Sequence, residues 1–299
     1  MNKINVAISG VLLILSTANA EIQNTGMAFL KIPFSAQSAA TMTVFSQAGR
    51  SPLAIFENPV GIRSEQTALA LSHHFWVADV SIDAMALSIP LKNSSLGFGL
   101  NYVRIPAVEV RDYPTDEPAA NIEPQYMAIA AGYCWSPIKI IDIGGTVKYL
   151  YEHLYTHTGR GVAFDLAVRW NAPSMLDVTF SLQNMGFLDV ANDNNRLPVT
   201  LTIGIVRPEL FVGDSFNSSI GLNFGSNLIT GDAKAQIGAE ICYRDLLTLR
   251  GGFEHIGSIN RGALGFGVRI NRLGVDYAFI FMPEGFNHPH LITLSYYPG

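Results

Sequence analysis

Charged residues are scarce in this sequence. Only 14% of its 299 residues are Asp, Glu, Lys or Arg, whereas an ordinary soluble domain has roughly 25%. Hydrophobic residues make up 48%, yet beyond the N-terminus no uninterrupted apolar run approaches the roughly 20 residues that a membrane-spanning helix needs. Low charge without such a run is unusual for a cytosolic enzyme. It is typical of a membrane β-barrel, in which apolar residues occupy alternate positions.

Several kinds of functional motif are also missing. The net charge is −5 and there is no basic stretch, so we do not expect the chain to bind nucleic acid. No G-x-S-x-G nucleophile motif, phosphate loop or dinucleotide fingerprint occurs. The histidines are not joined by cysteine or carboxylate at the spacing of a metal site. We therefore predict no enzymatic activity, no catalytic residue, no cofactor and no metal.

Residues 1–20 have the pattern of a secretory signal peptide. Lys3 supplies the positive start, an apolar stretch follows, and Ala18 and Ala20 form an A-x-A cleavage site. The alternative is an uncleaved anchor helix, but the apolar run is short for a membrane span. The mature chain should therefore begin at Glu21 and lie beyond the inner membrane.

Residues 21–65 show no strand pattern. Small residues at 35–40 could open a short helix, and the Ser51-Pro52 and Asn58-Pro59 pairs mark turns because the residue before a proline is pushed out of the α region. A segment of this size cannot hold a hydrophobic core of its own. We predict a compact N-terminal segment of short helix and turns.

From about Thr67 to the C-terminus, apolar and small or polar residues alternate. A strand places successive side chains on opposite faces, so each such segment has one apolar and one polar face. In 262–270, for example, Leu264, Phe266 and Ile270 alternate with Gly265 and Arg269. The pattern predicts fourteen strands, each close to the roughly 9–11 residues that cross a bilayer at a tilt: 67–76, 79–90, 95–105, 125–135, 139–152, 161–170, 177–185, 199–207, 216–224, 233–243, 246–256, 262–271, 273–282 and 289–297.

The connections between these strands fall into two classes. Those after even-numbered strands are mostly short, and those after odd-numbered strands are often long and polar, namely 106–124, 153–160, 186–198 and 225–232. The stretch 208–215 is an exception, long for its class. Short periplasmic turns with long outer loops are typical of an outer-membrane barrel. A soluble sandwich or propeller is the alternative, but its outer face would carry many charges.

We therefore predict an all-β fold, a transmembrane antiparallel barrel of about fourteen strands spanning residues 66–299 in the cell outer membrane. Its apolar face, including Leu264 and Phe266, should meet lipid, and its face of small residues should line a crowded lumen. Cys134 and Cys242 end strands nearly opposite in such a ring, and a disulfide needs Cα atoms within roughly 7 Å. We expect two free thiols.

Charges of both signs are interleaved at positions assigned to the lumen. They suit either an ion-pair network that holds strands together or a polar track for a ligand head group. Residues four apart on one strand lie about 13 Å apart, so pairing across neighbouring strands is favoured. Asp83, Asp142, Lys148 and Lys234 belong to this set, and the candidate site residues are Asp165, Arg169, Glu240, Arg250, Glu254, Arg269 and Asp276.

The N-terminal segment and several late strands carry motifs in a characteristic order. These are 26–33 (GMAFLKIP), 57–62 (ENPVGI), 73–76 (HHFW), 249–253 (LRGGF), 265–267 (GFG) and 276–279 (DYAF). Together they resemble the PorV/PorQ group of outer-membrane proteins, which is itself similar to the FadL class of fatty-acid transporters. Val60 and Ile62 depart mildly from the usual Asn-Pro-Ala-Gly-Leu form.

The resemblance implies a fourteen-stranded barrel whose lumen holds residues 21–65 as a hatch. The turn of Asn58, Pro59 and Gly61 would be either purely structural or a seat from which ligand or cargo displaces the hatch. In the PorV branch the implied role is type IX secretion, in which cargo proteins dock on outer loops 106–124 and 186–198. In the FadL branch it is passive uptake of hydrophobic molecules such as long-chain fatty acids. Outer-membrane lipid is a partner in both cases.

Overall fold

A computed structural model describes residues 25–47, 51–110, 117–154, 157–172, 176–189, 196–283 and 286–298. The predicted signal peptide, 1–20, lies outside these residues. Among the described residues, no helix is both long and apolar enough to cross a membrane. The strands are β1 (Ala68–Phe75), β2 (Ser81–Pro90), β3 (Ser94–Arg104), β4 (Val108–Val110), β5 (Ala120–Ile122), β6 (Gln125–Ile138), β7 (Ile141–Leu154), β8 (His157–Ala172), β9 (Leu176–Asp189), β10 (Thr200–Val212), β11 (Phe216–Asn227), β12 (Ala233–Tyr243), β13 (Leu247–Ile256), β14 (Ile259–Ile270), β15 (Leu273–Phe281) and β16 (His290–Tyr296).

Fourteen of these strands form a closed barrel in chain order, which confirms the predicted fold. Each strand is antiparallel to its neighbours, and β1 closes the ring by pairing with β16. The short strands β4 and β5 form a separate hairpin within the predicted loop 106–124. The stretch 153–160, which we expected to be a loop, lies mostly in strands β7 and β8.

The two ends of the barrel differ. At the end where β1 begins, five turns within the described residues are two or three residues long: 91–93, 139–140, 213–215, 244–246 and 271–272. We call this the turn end and the opposite one the loop end; in outer-membrane barrels the short turns are periplasmic. The expected long turn at 208–215 was wrong, because β10 continues to Val212. Its register shifts between Arg207 and Phe211, and Pro208, which has no N–H for the ladder, lies within this bulge.

The alternating faces have the predicted orientation on β14. Leu264, Phe266 and Ile270 are 57%, 44% and 60% exposed on the outer surface, whereas a Cβ at Gly265 would lie 2.6 Å from Ala40 inside the barrel. The prediction for Asp83 was wrong. We expected it in the lumen, but it is exposed on the outer face, 2.7 Å from His73 Nδ1. The apolar face of β2 points inward there, because it packs against apolar residues within the barrel.

The lumen is filled by residues 25–47 and 51–64, which we call the hatch. It contains helix α1 (Ala36–Ala40) and three 3-10 turns, Ala28–Lys31, Pro52–Phe56 and Pro59–Ile62. Wall glycines make room for it: a Cβ would lie 2.8 Å from Phe56 at Gly99 and 2.7 Å from the Thr41 backbone at Gly252. The crowded, small-residue face of the strands is therefore the contact surface of the hatch.

The hatch divides between the two walls of the barrel. Residues 25–34 and 51–64, the first hatch body, share an apolar cluster with the first wall, made of β1–β3 and β6–β8. Residues 36–47, the second hatch body, pack against the second wall, β10–β16. Ser35 and residues 48–50 link the bodies, and 48–50 lie outside the described residues.

Candidate functional site

A cavity of about 380 Å³ opens between the hatch and the second wall at the loop end. This volume lies within the roughly 300–1,000 Å³ of typical small-molecule sites. We call it the loop-end cavity. Much of its lining is apolar, from the hatch, the strand ends and the β15–β16 loop: Leu30, Ile32, Phe56, Trp76, Ile256, Ile259, Met282, Pro283 and Phe286.

Among the described residues, three cations also line this cavity: Lys31, Lys234 and Arg261. Arg261 is bound to the Glu254 carboxylate, with Nε 2.9 Å from Oε1, and Gln236 donates to Oε2 of the same group at 2.6 Å. Lys31 reaches Thr25 Oγ1 at 3.3 Å. The Lys234 amine forms no hydrogen bond or close ion pair with any described residue, and Glu57 and Glu254 act on it only at longer range. Among the described residues that line the cavity, it is therefore the cation without a close partner.

Glu57 lies in the hatch at the floor of the cavity. Its carboxylate accepts hydrogen bonds from Phe34 N at 2.6 Å and Ser38 Oγ at 2.7 Å. Burial raises the pKa of the Glu57 carboxyl, and these hydrogen bonds, together with the charge of Lys234, oppose that rise. The group therefore joins two parts of the hatch at a buried position.

A second, polar cavity of about 260 Å³ lies at the turn end, below the hatch. Arg250 spans it, with Nε 3.2 Å from Glu240 Oε2 and a terminal nitrogen 2.6 Å from Asp276 Oδ1. The Arg269 guanidinium lies 4.9 Å from the centre of the Tyr297 ring. Four candidate site residues thus share this turn-end cavity: Glu240, Arg250, Arg269 and Asp276.

The remaining candidates, Asp165 and Arg169, line neither cavity. Lys148 Nζ is 2.6 Å from Asp165 Oδ2 with both side chains fully buried, and it also donates to the Phe56 carbonyl at 3.0 Å. Arg169 pairs with Asp142 at 2.5 Å, again almost without exposure. These pairs cross between β7 and β8, and the first of them grips the hatch.

The predicted hatch turn is buried against the first wall. Asn58 Oδ1 accepts from Val60 N at 3.3 Å, which closes the turn before Gly61. Asn58 Nδ2 lies 3.1 Å from Gln47 Oε1. A Cβ at Gly144 on β7 would lie 2.7 Å from the carbonyl carbon of Pro59. The turn therefore fits between the second hatch body and the wall.

Sequence reasoning grouped seven charges into one site, whereas the structure divides them among a dry wall and two cavities. It also placed Lys148, Asp142 and Lys234 in the lumen but did not select them as candidate site residues. It missed Glu57 and Arg261. Glu57 did carry a signal, since it is an acid directly after the apolar run 53–56. Cys134 and Cys242 are free thiols, as predicted. The described residues contain no group of three or more His, Cys, Asp or Glu able to hold a metal.

No protein-family model matches the sequence, and no curated protein sequence matches it either. Solved structures do match. The Ralstonia pickettii toluene transporter TbuX has a TM-score of 0.63 and 13% identity over 89% of this chain and 98% of its own. The Pseudomonas putida toluene transporter TodX gives 0.62 and 11% over 88% and 97%. A Pseudomonas aeruginosa FadL homologue gives 0.58 and 10% over 87% and 97%. The chain therefore has the fold of FadL-type outer-membrane channels.

Proposed function

We propose that the protein is a passive outer-membrane channel that takes up a hydrophobic small molecule through the loop-end cavity, without catalysing a reaction. The observation that carries the proposal is this cavity, whose lining surface is mainly apolar and includes Lys234, an amine without a hydrogen-bond or close ion-pair partner among the described residues. Similar solved structures are described as toluene transporters. The hatch turn at Asn58, Pro59 and Gly61 then has the role of a seat that keeps the hatch in place until the ligand displaces it.

The lining suggests the kind of ligand. Hydrocarbon surface gains from contact with Trp76, Met282 and Phe286, since burial of apolar area is favourable by roughly 25 cal/mol per Å². Lys234 offers a charge-assisted hydrogen bond to an acceptor head group. A molecule with an apolar body and an anionic end, such as a long-chain fatty acid, satisfies both. Toluene has no such end and would use the apolar lining alone.

Binding to the purified barrel tests this function, with oleate and toluene as probes. Lys234→Met should weaken oleate binding by about tenfold or more, because a hydrogen bond to a charged group contributes roughly 1.5–3 kcal/mol. Toluene binding should change little. Lys139→Met, at an exposed turn-end position, is the matched control. Equal oleate affinity in both variants would contradict the assignment of Lys234, and no binding of either probe would contradict the function.

Membership of the PorV/PorQ group, with a role in type IX secretion, is the second candidate. Its support is the ordered set of sequence motifs and the β4–β5 hairpin, which exposes Val108 at 45% in loop 106–124. Cargo proteins or other secretion components would dock on this loop and on 186–198. Deletion of the gene should then retain proteins with a C-terminal sorting domain in the periplasm. Normal secretion with impaired uptake of fatty acid would rule this candidate out.

A further inference from the structure

A small void lies inside the hatch, between the two cavities. Its volume of about 10 Å³ is roughly that of a single water probe. It shares Ser46 and Glu57 with the loop-end cavity, and Gln37 and Ser51 with the turn-end cavity. The void therefore adjoins both cavities. Six of the eight residues that line the void are polar, although carbon atoms make up most of the lining surface: Ser35, Gln37, Ser38, Phe45, Ser46, Ser51, Ala54 and Glu57.

This void lies where the two hatch bodies meet. Glu57 belongs to the first body, and its bond to Ser38 Oγ, 2.7 Å long and buried, reaches the second. Asn58 Nδ2 makes the neighbouring links, to Gln47 Oε1 at 3.1 Å and Ser46 O at 3.3 Å. A narrow polar seam thus joins the bodies.

Besides the seam, each body has contacts of its own with one wall. Lys148 donates to the Phe56 carbonyl in the first body. In the second body, Ala36 N donates to Thr293 Oγ1 at 2.8 Å, and Thr41 fills the space above Gly252. Separation along the seam would therefore leave both bodies seated. Water entering the seam could replace the lost hydrogen bonds, because the groups that line it are hydroxyls, amides and a carboxylate.

We propose that the hatch contains a closed passage for water and small hydrophilic solutes, and that Glu57 bound to Ser38 is its gate. When this bond opens, the loop-end and turn-end cavities become continuous. The passage begins in the loop-end cavity and continues between hatch residues that are mainly polar, beyond the apolar lining proposed to bind the hydrophobic ligand. Glu57 is a positioning residue, since it acts by holding the second hatch body against the first.

The native thiol Cys242 reports on the gate because it lines the turn-end cavity. Full-length protein with Cys134→Ser is reconstituted in liposomes, and a small, charged, membrane-impermeant methanethiosulfonate is added outside. In the otherwise native barrel only molecules whose turn ends face outward should react. Glu57→Ala and, separately, Ser38→Ala should raise the plateau of Cys242 labelling to nearly complete. Glu57→Gln can still accept from Phe34 and donate to Ser38, so it should keep the lower plateau.

Conductance in planar bilayers gives the second readout. Glu57→Ala and Ser38→Ala should raise it several-fold, and deletion of residues 21–65 sets the fully open reference. Glu209→Ala, which removes an exposed acid from β10, is the charge-matched control and should stay closed. Each variant is used only if it gives the heat-modifiable band of a folded barrel on gels. If Glu57→Ala does not fold, Ser38→Ala alone tests the gate. Unchanged labelling and conductance in a folded Ser38→Ala barrel would overturn the gate, whatever the oleate assay shows.

Discussion

The two walls of the lumen hold charges of the same kinds in different surroundings. On the first wall, the Lys148–Asp165 side chains are fully buried, and the Arg169–Asp142 pair is 2% and 7% exposed. On the second wall, Arg250 is 9% exposed, and its partners Glu240 and Asp276 are 22% and 17% exposed. The first set touches packed protein, and the second faces a cavity.

This difference in burial distinguishes two roles of the charges that the sequence alone does not distinguish. A buried pair is costly to break, since either charge alone lacks both water and a counter-ion. A pair beside a cavity can exchange its partner for water at small cost. The comparison favours the structural interpretation, an ion-pair network, for the first wall. The polar-track interpretation suits the second wall, where the charges border open space.

Breaking the buried Lys148–Asp165 pair should have the largest effect on stability. Lys148→Met leaves the Asp165 carboxylate buried without its cation and removes the bond to the Phe56 carbonyl, so we expect a loss of about 3–5 kcal/mol in the free energy of unfolding. Urea titration of the barrel in lipid vesicles, followed by heat-modifiability on gels, measures it. A loss below about 1 kcal/mol would mean that water reaches this pair and that the walls do not differ.

The double variant Lys148→Met/Asp165→Leu is the control for that result. Apolar replacement of a whole buried ion pair is often neutral or stabilising, so stability should recover most of the loss. If it does not, the cost comes from the lost hydrogen bonds to Phe56 and Asn184 and not from the stranded carboxylate.

The lipid bilayer is a third environment in which the cost of a charge can be measured, and Phe266→Arg places an arginine there. Phe266 is 44% exposed on the outer face and lies well inside β14. An arginine at mid-bilayer should cost roughly 2–4 kcal/mol. Leu273→Arg, at the turn-end limit of β15, is the matched control and should cost roughly 0–1 kcal/mol near the interface. Equal costs in the same urea titration would show that this face does not meet a bilayer core.

Strand number and the lipid face could be predicted from sequence because one rule repeats fourteen times. Each strand alternates, and lipid rewards apolar residues on the outer positions. The rule failed on β2, where the lumen is also apolar: Ile82 and Ala84 point toward the hatch, so hydrophobicity no longer distinguishes the faces. It also failed at 208–215, where a bulge let the strand continue past a proline.

The division of the charges could not be predicted in the same way. Which acid meets Arg250 depends on strand register, and register places Glu240 directly opposite. Whether a pair is dry depends on where the hatch lies, and the position of the hatch is set by distant wall glycines such as Gly99 and Gly252. Glu57 lies between the loop-end cavity and the small void, a position that depends on how the hatch folds inside the barrel and that no local sequence pattern encodes.

The smallest effect on stability is expected at the wet pair. Arg250→Met leaves Glu240 and Asp276 beside the turn-end cavity, where water can solvate them, so the loss in the free energy of unfolding should be about 1 kcal/mol or less.

The effect of Arg250→Met on ion selectivity should be clearer. In a barrel lacking residues 21–65, removal of this cation leaves two acids on one wall, and the reversal potential in a KCl gradient should shift toward cation selectivity. Lys148→Met/Asp165→Leu, which removes one charge of each sign, should leave selectivity unchanged. A shift in the double variant but not in Arg250→Met would reverse the assignment of the two walls.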